Sequence, residues 1–204
     1  MMTTTMIMTR ALQAVAVLLV LIGLAAPSAA GPEQPGYPKA FSCSACHGPD
    51  GNSRSDAVPI IAGMPAWYFK KAMDDYAAGR RVSAEMEPFG KMVKGLGVDD
   101  VAAYFAAQTR RPTTVRLDRA AVDRGRAASA QCVVCHGPEG KGDPAKLIPD
   151  ITGQPPAYLR SQMTLFKLDR RSPGDATLKA LKALFKQVSD EQIADLAAYY
   201  SSLR

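Results

Sequence analysis

Four cysteines and two histidines are the residues of this chain best suited to chemistry, and all six fall in two short blocks. One block is Cys43-Ser44-Ala45-Cys46-His47, the other Cys132-Val133-Val134-Cys135-His136. Each reads C-x-x-C-H, the pattern that attaches a c-type haem. Thiols three positions apart on a short helix share one face, so both reach the vinyl groups of one haem. The histidine that follows directs an imidazole at the iron.

Other uses of these residues fit less well. A disulfide framework needs no histidine after each cysteine pair. A thioredoxin-like redox pair predicts one site beside a βαβ pattern. A zinc site would have to join two pairs that lie in opposite halves of the sequence. Both histidines and all cysteines are committed, so none remains for general acid–base or nucleophilic work, and no glycine-rich dinucleotide motif follows a strand. The reading is two covalently bound haem c groups, each with its iron, in an electron-transfer protein that is not itself an enzyme.

The elements that must position these blocks come in duplicate. His47-Gly48-Pro49-Asp50-Gly51 repeats as His136-Gly137-Pro138-Glu139-Gly140 at an offset of 89. At an offset of 90, Pro59-Ile60-Ile61-Ala62-Gly63 matches Pro149-Asp150-Ile151-Thr152-Gly153. At the same offset Phe69, Met73 and Tyr76 match Leu159, Met163 and Phe166, and Arg80-Arg81 matches Arg170-Arg171. Val101-Ala102-Ala103-Tyr104 matches Leu196-Ala197-Ala198-Tyr199 at 95, which places a five-residue insertion after Arg171. Phe69, Met73 and Tyr76 have the spacing of one helix face. Pro65 and Pro156 suit first-turn positions. Ser189-Asp190-Glu191-Gln192 is a capping box opening a helix with an Ile193, Leu196, Ala197, Tyr200 stripe. No alternating strand pattern is clear, so the fold class is all-α, with domains over residues 31–112 and 113–204.

The chain has 204 residues, 47% of them hydrophobic and 22% charged, with a formal charge of +6. This composition is globular. Met1–Arg10 is mildly basic, Ala11–Ala26 is almost wholly apolar, and Pro27-Ser28-Ala29-Ala30 offers small residues for cleavage. This is a secretory signal over residues 1–30, cleaved near Ala30. The apolar run is shorter than the roughly 20 residues needed for a span, so no stable membrane span is expected after cleavage. The expected location is the periplasm. The remaining charge, near +5, is spread along the chain without a nucleic-acid stripe. Basic residues of the Arg110–Arg116 linker are expected to be solvated or to meet an acidic partner.

The two C-x-x-C-H-G motifs, two Pro-x-x-x-Gly segments and two closing A-A-Y helices together resemble a tandem dihaem class I cytochrome c. The resemblance spans nearly all of the chain after the signal. It implies two cytochrome c domains, each wrapped around one covalently attached haem. It also implies that the carbonyls of Pro59 and Pro149 back the proximal histidines, an outer hydrogen bond that fixes the ring. Class I cytochromes usually add a methionine sulfur opposite the histidine, which raises the potential. Met86 lies in a matching loop ahead of the helix that carries Tyr104, and it is the expected ligand of the first iron, with Met92 as second choice. In the second domain Leu181 stands as far ahead of Tyr199 as Met86 stands ahead of Tyr104. Three arrangements stay open there: an unfilled position, a lysine among Lys179, Lys182 and Lys186, or Met163.

Two haems in one small exported chain imply a relay between a donor dehydrogenase and a downstream acceptor such as a terminal oxidase. Ile61–Pro65, Gln108–Pro112 and the Tyr158–Arg171 segment resemble the cytochrome subunit of flavocytochrome c sulfide dehydrogenase. That resemblance implies an alternative role as the haem subunit of a flavoprotein dehydrogenase. A third reading uses an open second iron for small-ligand binding or peroxidase chemistry, but a peroxidase needs distal acid–base groups that no spare histidine supplies.

Overall fold

The computed structural model describes residues 32–171 and 179–204, the side chains of 179–181 excepted. The leader, most of the insertion after Arg171, and the Lys179 and Leu181 side chains therefore lie outside the described residues. Two similar sets of helices follow one another. The first comprises α1 (Tyr37–Ala40), a 3-10 turn (Phe41–Cys43), α2 (Ser44–His47), α3 (Ala66–Ala77), α4 (Met86–Leu96) and α5 (Val98–Ala106). The second comprises α6 (Arg119–Ala128), α7 (Ala130–His136), a 3-10 turn (Pro144–Lys146), α8 (Pro156–Lys167), α9 (Lys179–Gln187) and α10 (Asp190–Ser202). The described residues form no sheet; two isolated bridges pair Arg81 with Arg171 and Asp143 with Ile148.

Each set buries the face that its periodicity marks out. Phe69, Met73 and Tyr76 of α3 meet Val101, Ala102, Tyr104 and Phe105 of α5, with Val93 of α4. Leu159 and Met163 of α8 meet Phe185 of α9 and Ile193, Leu196, Ala197 and Tyr200 of α10. Phe166 is half-buried against this second core and stacks on Phe185, ring centroids 5.6 Å apart. The Ser189 hydroxyl accepts from Gln192 N–H and the Gln192 side chain accepts from Ser189 N–H, so the capping box opens α10. Pro156 stands in the first turn of α8. Pro65 instead stands one position ahead of α3 as its N-cap, because its extended ψ of 133° still belongs to the incoming chain. Its partner in the repeat is Pro155, the N-cap of α8.

In both sets an N-terminal element crosses the C-terminal helix at a glycine. A Cβ at Gly36 would stand 2.8 Å from Tyr104 Cβ, and one at Gly125 would stand 2.8 Å from Tyr199 Cβ. Only glycine lets the backbones approach this closely. An ion pair flanks each crossing: Lys39 with Asp100, and Arg124 gripping Asp195 through two bonds of 2.8 Å.

Candidate haem centres and the interface between them

The first cysteine pair is split between two local conformations. Cys43 ends the 3-10 turn, while Cys46 and His47 lie on α2. A single regular helix holds Cys132, Cys135 and His136. Both helices stop at a glycine with positive φ, 81° at Gly48 and 72° at Gly137. That conformation turns the chain away directly after the histidine. Cys43 packs on the first core and Cys132 on the second. No disulfide joins the four cysteines. Among the described residues no three His, Cys, Asp or Glu side chains cluster as they would around a bare metal ion.

Each histidine is oriented by a backbone carbonyl. His47 Nδ1–H donates to Pro59 O at 2.8 Å, and His136 Nδ1–H donates to Pro149 O at 3.1 Å. These bonds select the tautomer that leaves Nε2 with its lone pair for a metal. Burial pushes both imidazoles below their ordinary range, against the opposing pull of the proline carbonyls. They therefore stay neutral, the ligating form, near pH 7.

A cavity of about 520 Å³ opens beside His136. Cys132, Cys135, Pro149, Leu159, Met163 and Phe185 line it, an apolar setting for a flat macrocycle anchored at one edge. Two described side-chain polar atoms are buried without a partner, Trp67 Nε1 and Tyr200 Oη, and Tyr200 lines this cavity. Apolar walls, two thiols, an oriented imidazole and an orphaned hydroxyl fit a haem.

On the first side, Met86 is the first residue of α4 and is half-buried against the core that also carries Cys43. Met73 is buried core. Met92, the second-choice ligand, is 37% exposed. On the second side, Lys182 pairs with Asp169, and Lys186 is exposed.

The two sites adjoin. The cavity beside His136 is also lined by Ile60, Met64 and Tyr68 of the first set. Ile60 follows Pro59, the residue that holds His47. Ile60 N–H donates to Gln154 Oε1 at 2.9 Å, and Gln154 Nε2 donates back to Ile60 O at 2.8 Å. Two arginines cross the boundary in opposite senses. Arg81 donates to Tyr158 Oη at 2.7 Å, and Arg171 donates to Tyr68 Oη at 2.7 Å. Both also donate to Gln162 Oε1, at 3.0 and 2.9 Å. Each guanidinium lies 4.6 Å from the centre of an aromatic ring of its own domain, Tyr76 or Phe166. The repeat in the sequence thus becomes an approximate two-fold contact. Sequence reasoning took the Arg-Arg pairs as repeat markers and the Tyr158–Arg171 segment as a family resemblance; it missed Tyr68 and Gln154 and the contact they form with these residues. The available signal was a charged residue kept at a fixed offset beside an aromatic kept at the same offset.

The linker arginines divide between the two expectations. Arg111 and Arg116 are exposed, and Arg110 is partly buried, pairing with Asp150 at 3.1 Å and donating to Thr152 O. Arg111 pairs with Asp50. The acidic partners of Arg110 and Arg111 lie within the chain, because the linker lies along the domain boundary with Thr113 N–H donating to Gly153 O at 2.8 Å.

Helices gathered around two C-x-x-C-H sites, each histidine backed by a proline carbonyl, define a dihaem class I cytochrome c. The family model for cytochrome c matches residues 122–204. The chain is 32% identical to cytochrome c4 of Pseudomonas aeruginosa over 194 residues, covering 91% of this chain and 96% of that one. The crystal structure of reduced recombinant cytochrome c4 from Pseudomonas stutzeri superposes with a TM-score of 0.73 at 29% identity, covering 86% of this chain and all of that one. The thiosulfate dehydrogenase electron acceptor of Stutzerimonas stutzeri is 29% identical over 185 residues, 81% of each chain. The chain belongs to the cytochrome c4 family. It carries two covalently bound haem c groups, and it transfers electrons rather than transforming a substrate.

Proposed function

We propose that the chain is exported, loses residues 1–30, and works in the periplasm as a two-site electron relay with domains 31–112 and 113–204. Cys43 and Cys46 anchor the first haem and Cys132 and Cys135 the second. His47 and His136, oriented by Pro59 and Pro149, would hold the two irons, and Met86 would supply a further ligand to the first. When bound, the haems supply the one-electron chemistry. The chain's own residues anchor, orient and dry them.

One observation carries the relay. The cavity of the second site is walled in part by Ile60, the neighbour of the carbonyl that orients His47. A haem held at one site would therefore lie next to a haem held at the other, within one braced unit. The donor fits the class of periplasmic dehydrogenases that oxidise inorganic sulfur compounds. One relative is named as a thiosulfate dehydrogenase electron acceptor, which favours the thiosulfate type. The segments that resembled a flavocytochrome subunit have work inside this chain. Gly63 N–H donates to Phe105 O at 2.8 Å, Gln108 is buried with its amide on Tyr104 O, and Arg110 meets Asp150.

Stopped-flow mixing of the oxidised holoprotein with a thiosulfate-oxidising dehydrogenase and its substrate tests this. Both haems are expected to reduce in sequence. Reduction only by a sulfide-oxidising flavoprotein would replace the thiosulfate donor with the flavoprotein one. Failure of electrons to equilibrate between the haems would end the relay reading.

A further inference from the structure

The two domains share the order of their main helices but differ at one chemically decisive position. Met86 is the first residue of α4, in the approach to the closing helix that carries Tyr104. Its counterpart in register is Leu181 near the start of α9, at the same separation from Tyr199. Whatever rotamer it takes, leucine has no lone pair to give a metal.

We infer that the protein holds the iron of the second haem from one side only, through His136, and that the opposite coordination position takes a small neutral diatomic of the carbon monoxide or nitric oxide class. This rests on the haem assignment of the second site but not on any donor or on the relay.

Among the described residues, the other candidate ligands have partners or packing roles of their own. Met163 is the one methionine of this half. It repeats Met73, and both are buried in the middle of equivalent helices as core. The first half keeps that core methionine and still offers Met86, so the helix position does packing work in both. Met64 reaches the cavity wall from the first domain but packs against the first core. The Lys182 ammonium is paired with Asp169, and Lys186 faces solvent. Residues 172–178 include no His, Met, Cys or Lys. Lys179 would first have to lose a proton and its hydration.

The lining selects the ligand class. Leu159, Met163, Phe166, Leu184 and Phe185 form one apolar side of the cavity, while the donors Tyr68, Gln154, Gln162, Arg171 and Tyr200 line it elsewhere. An anion brought against that apolar side gives up its hydration without replacement. A neutral diatomic gives up almost nothing.

The test uses the mature holoprotein with both haems attached. Carbon monoxide titrated into the reduced protein is expected to shift the Soret band of one haem in two, with a stoichiometry of one per chain. The EPR spectrum of the oxidised protein is expected to show one high-spin and one low-spin centre. Leu181→Met is expected to abolish carbon monoxide uptake and make both centres low-spin. Lys179→Ala and Met163→Leu are expected to leave the stoichiometry at one. No uptake at saturating carbon monoxide overturns the inference, as do two low-spin centres in the unaltered protein. Uptake that appears only in Lys179→Ala, Met163→Leu or Met64→Leu also overturns it and names the ligand. The unaltered protein decides the matter even where a variant fails to fold.

Discussion

Arg81 of the first domain donates to the hydroxyl of Tyr158 of the second at 2.7 Å, and at 3% exposure it is among the most buried charges of the molecule. Tyr158 and the neighbouring aromatic hydroxyls hold the Arg81 guanidinium charged despite its burial. Removing it takes the donor from the Tyr158 hydroxyl, whereas Gln162 Oε1 keeps its bond from Arg171. Arg81→Ala is expected to cost about 3 kcal/mol. It is also expected to split urea unfolding into separate transitions for the two domains. A double-mutant cycle with Tyr158→Phe should show coupling above about 1 kcal/mol; additive effects would mean that the pair does not brace the domains.

Met86 opens α4 and packs on the core that carries Cys43. A thioether favours reduced iron. Met86→Leu is expected to lower the potential of the first haem by a hundredfold shift in its reduction equilibrium, about 120 mV at roughly 60 mV per tenfold. Met92→Leu, at an exposed position, is expected to leave both potentials unchanged. Spectroelectrochemical titration of both variants checks the assignment.

Gln154 serves both the N–H and the C=O of Ile60 across the domain boundary. Gln154→Leu keeps the volume but strands two buried backbone groups, at a cost of about 2 kcal/mol. Because Ile60 is joined to Pro59, the substitution is also expected to shift the potential of the first haem more than that of the second, although Gln154 belongs to the second domain. Denaturant midpoints and a redox titration report the two effects separately.

Gly125 touches α10 so closely that a methyl group meets both the Asp195 carbonyl and Tyr199 Cβ. Gly125→Ala is expected to destabilise by about 3 kcal/mol or more, because backbone rather than a flexible side chain must move. Gly95, with nothing near its would-be Cβ, is the control. Gly95→Ala in the last turn of α4 is expected to stabilise by about 0.5 kcal/mol. Thermal melts of the two variants should move in opposite directions.

Lys94 and Arg80 hold the Asp74 carboxyl below its ordinary range and tie α4, the helix that begins with Met86, to α3. A carboxylate with a depressed pKa stabilises the fold above its unfolded pKa near 4, and that contribution is lost as pH falls through the folded value. Asp74 is half exposed, so the effect is only a few tenths of a kcal/mol after solvent screening. Asp74→Asn is expected to be slightly less stable at pH 7 and to converge on the parent as pH falls below the unfolded pKa. Urea unfolding across that range reads the convergence.

Much of this was legible in the residues. The two C-x-x-C-H blocks, the offsets between halves and the Phe69, Met73, Tyr76 spacing locate the haem sites and the buried helix faces. Ser189 and Gln192 mark the start of the last helix by their capping chemistry. Pro65 was misplaced by one position, because ring geometry tolerates both the N-cap and the first turn. For Arg110 the sequence left solvation and an acidic partner both open, because a charge in a linker has no periodicity to report its partner, and Asp150 belongs to the other domain.

The cysteine, histidine and methionine positions alone determined the cofactor, its number, and the inequality between Met86 and Leu181, because covalent attachment and lone pairs belong to residue types. The tertiary structure decided how the halves meet. Arg81 with Tyr158, Arg171 with Tyr68, and Gln154 with Ile60 are paired only after both sets of helices have closed around their cores. Such contacts join residues far apart in the chain, each pair taking one member from either domain. Local propensity does not encode them, since their energy arises from burying charge and amide groups that only the finished interface brings together.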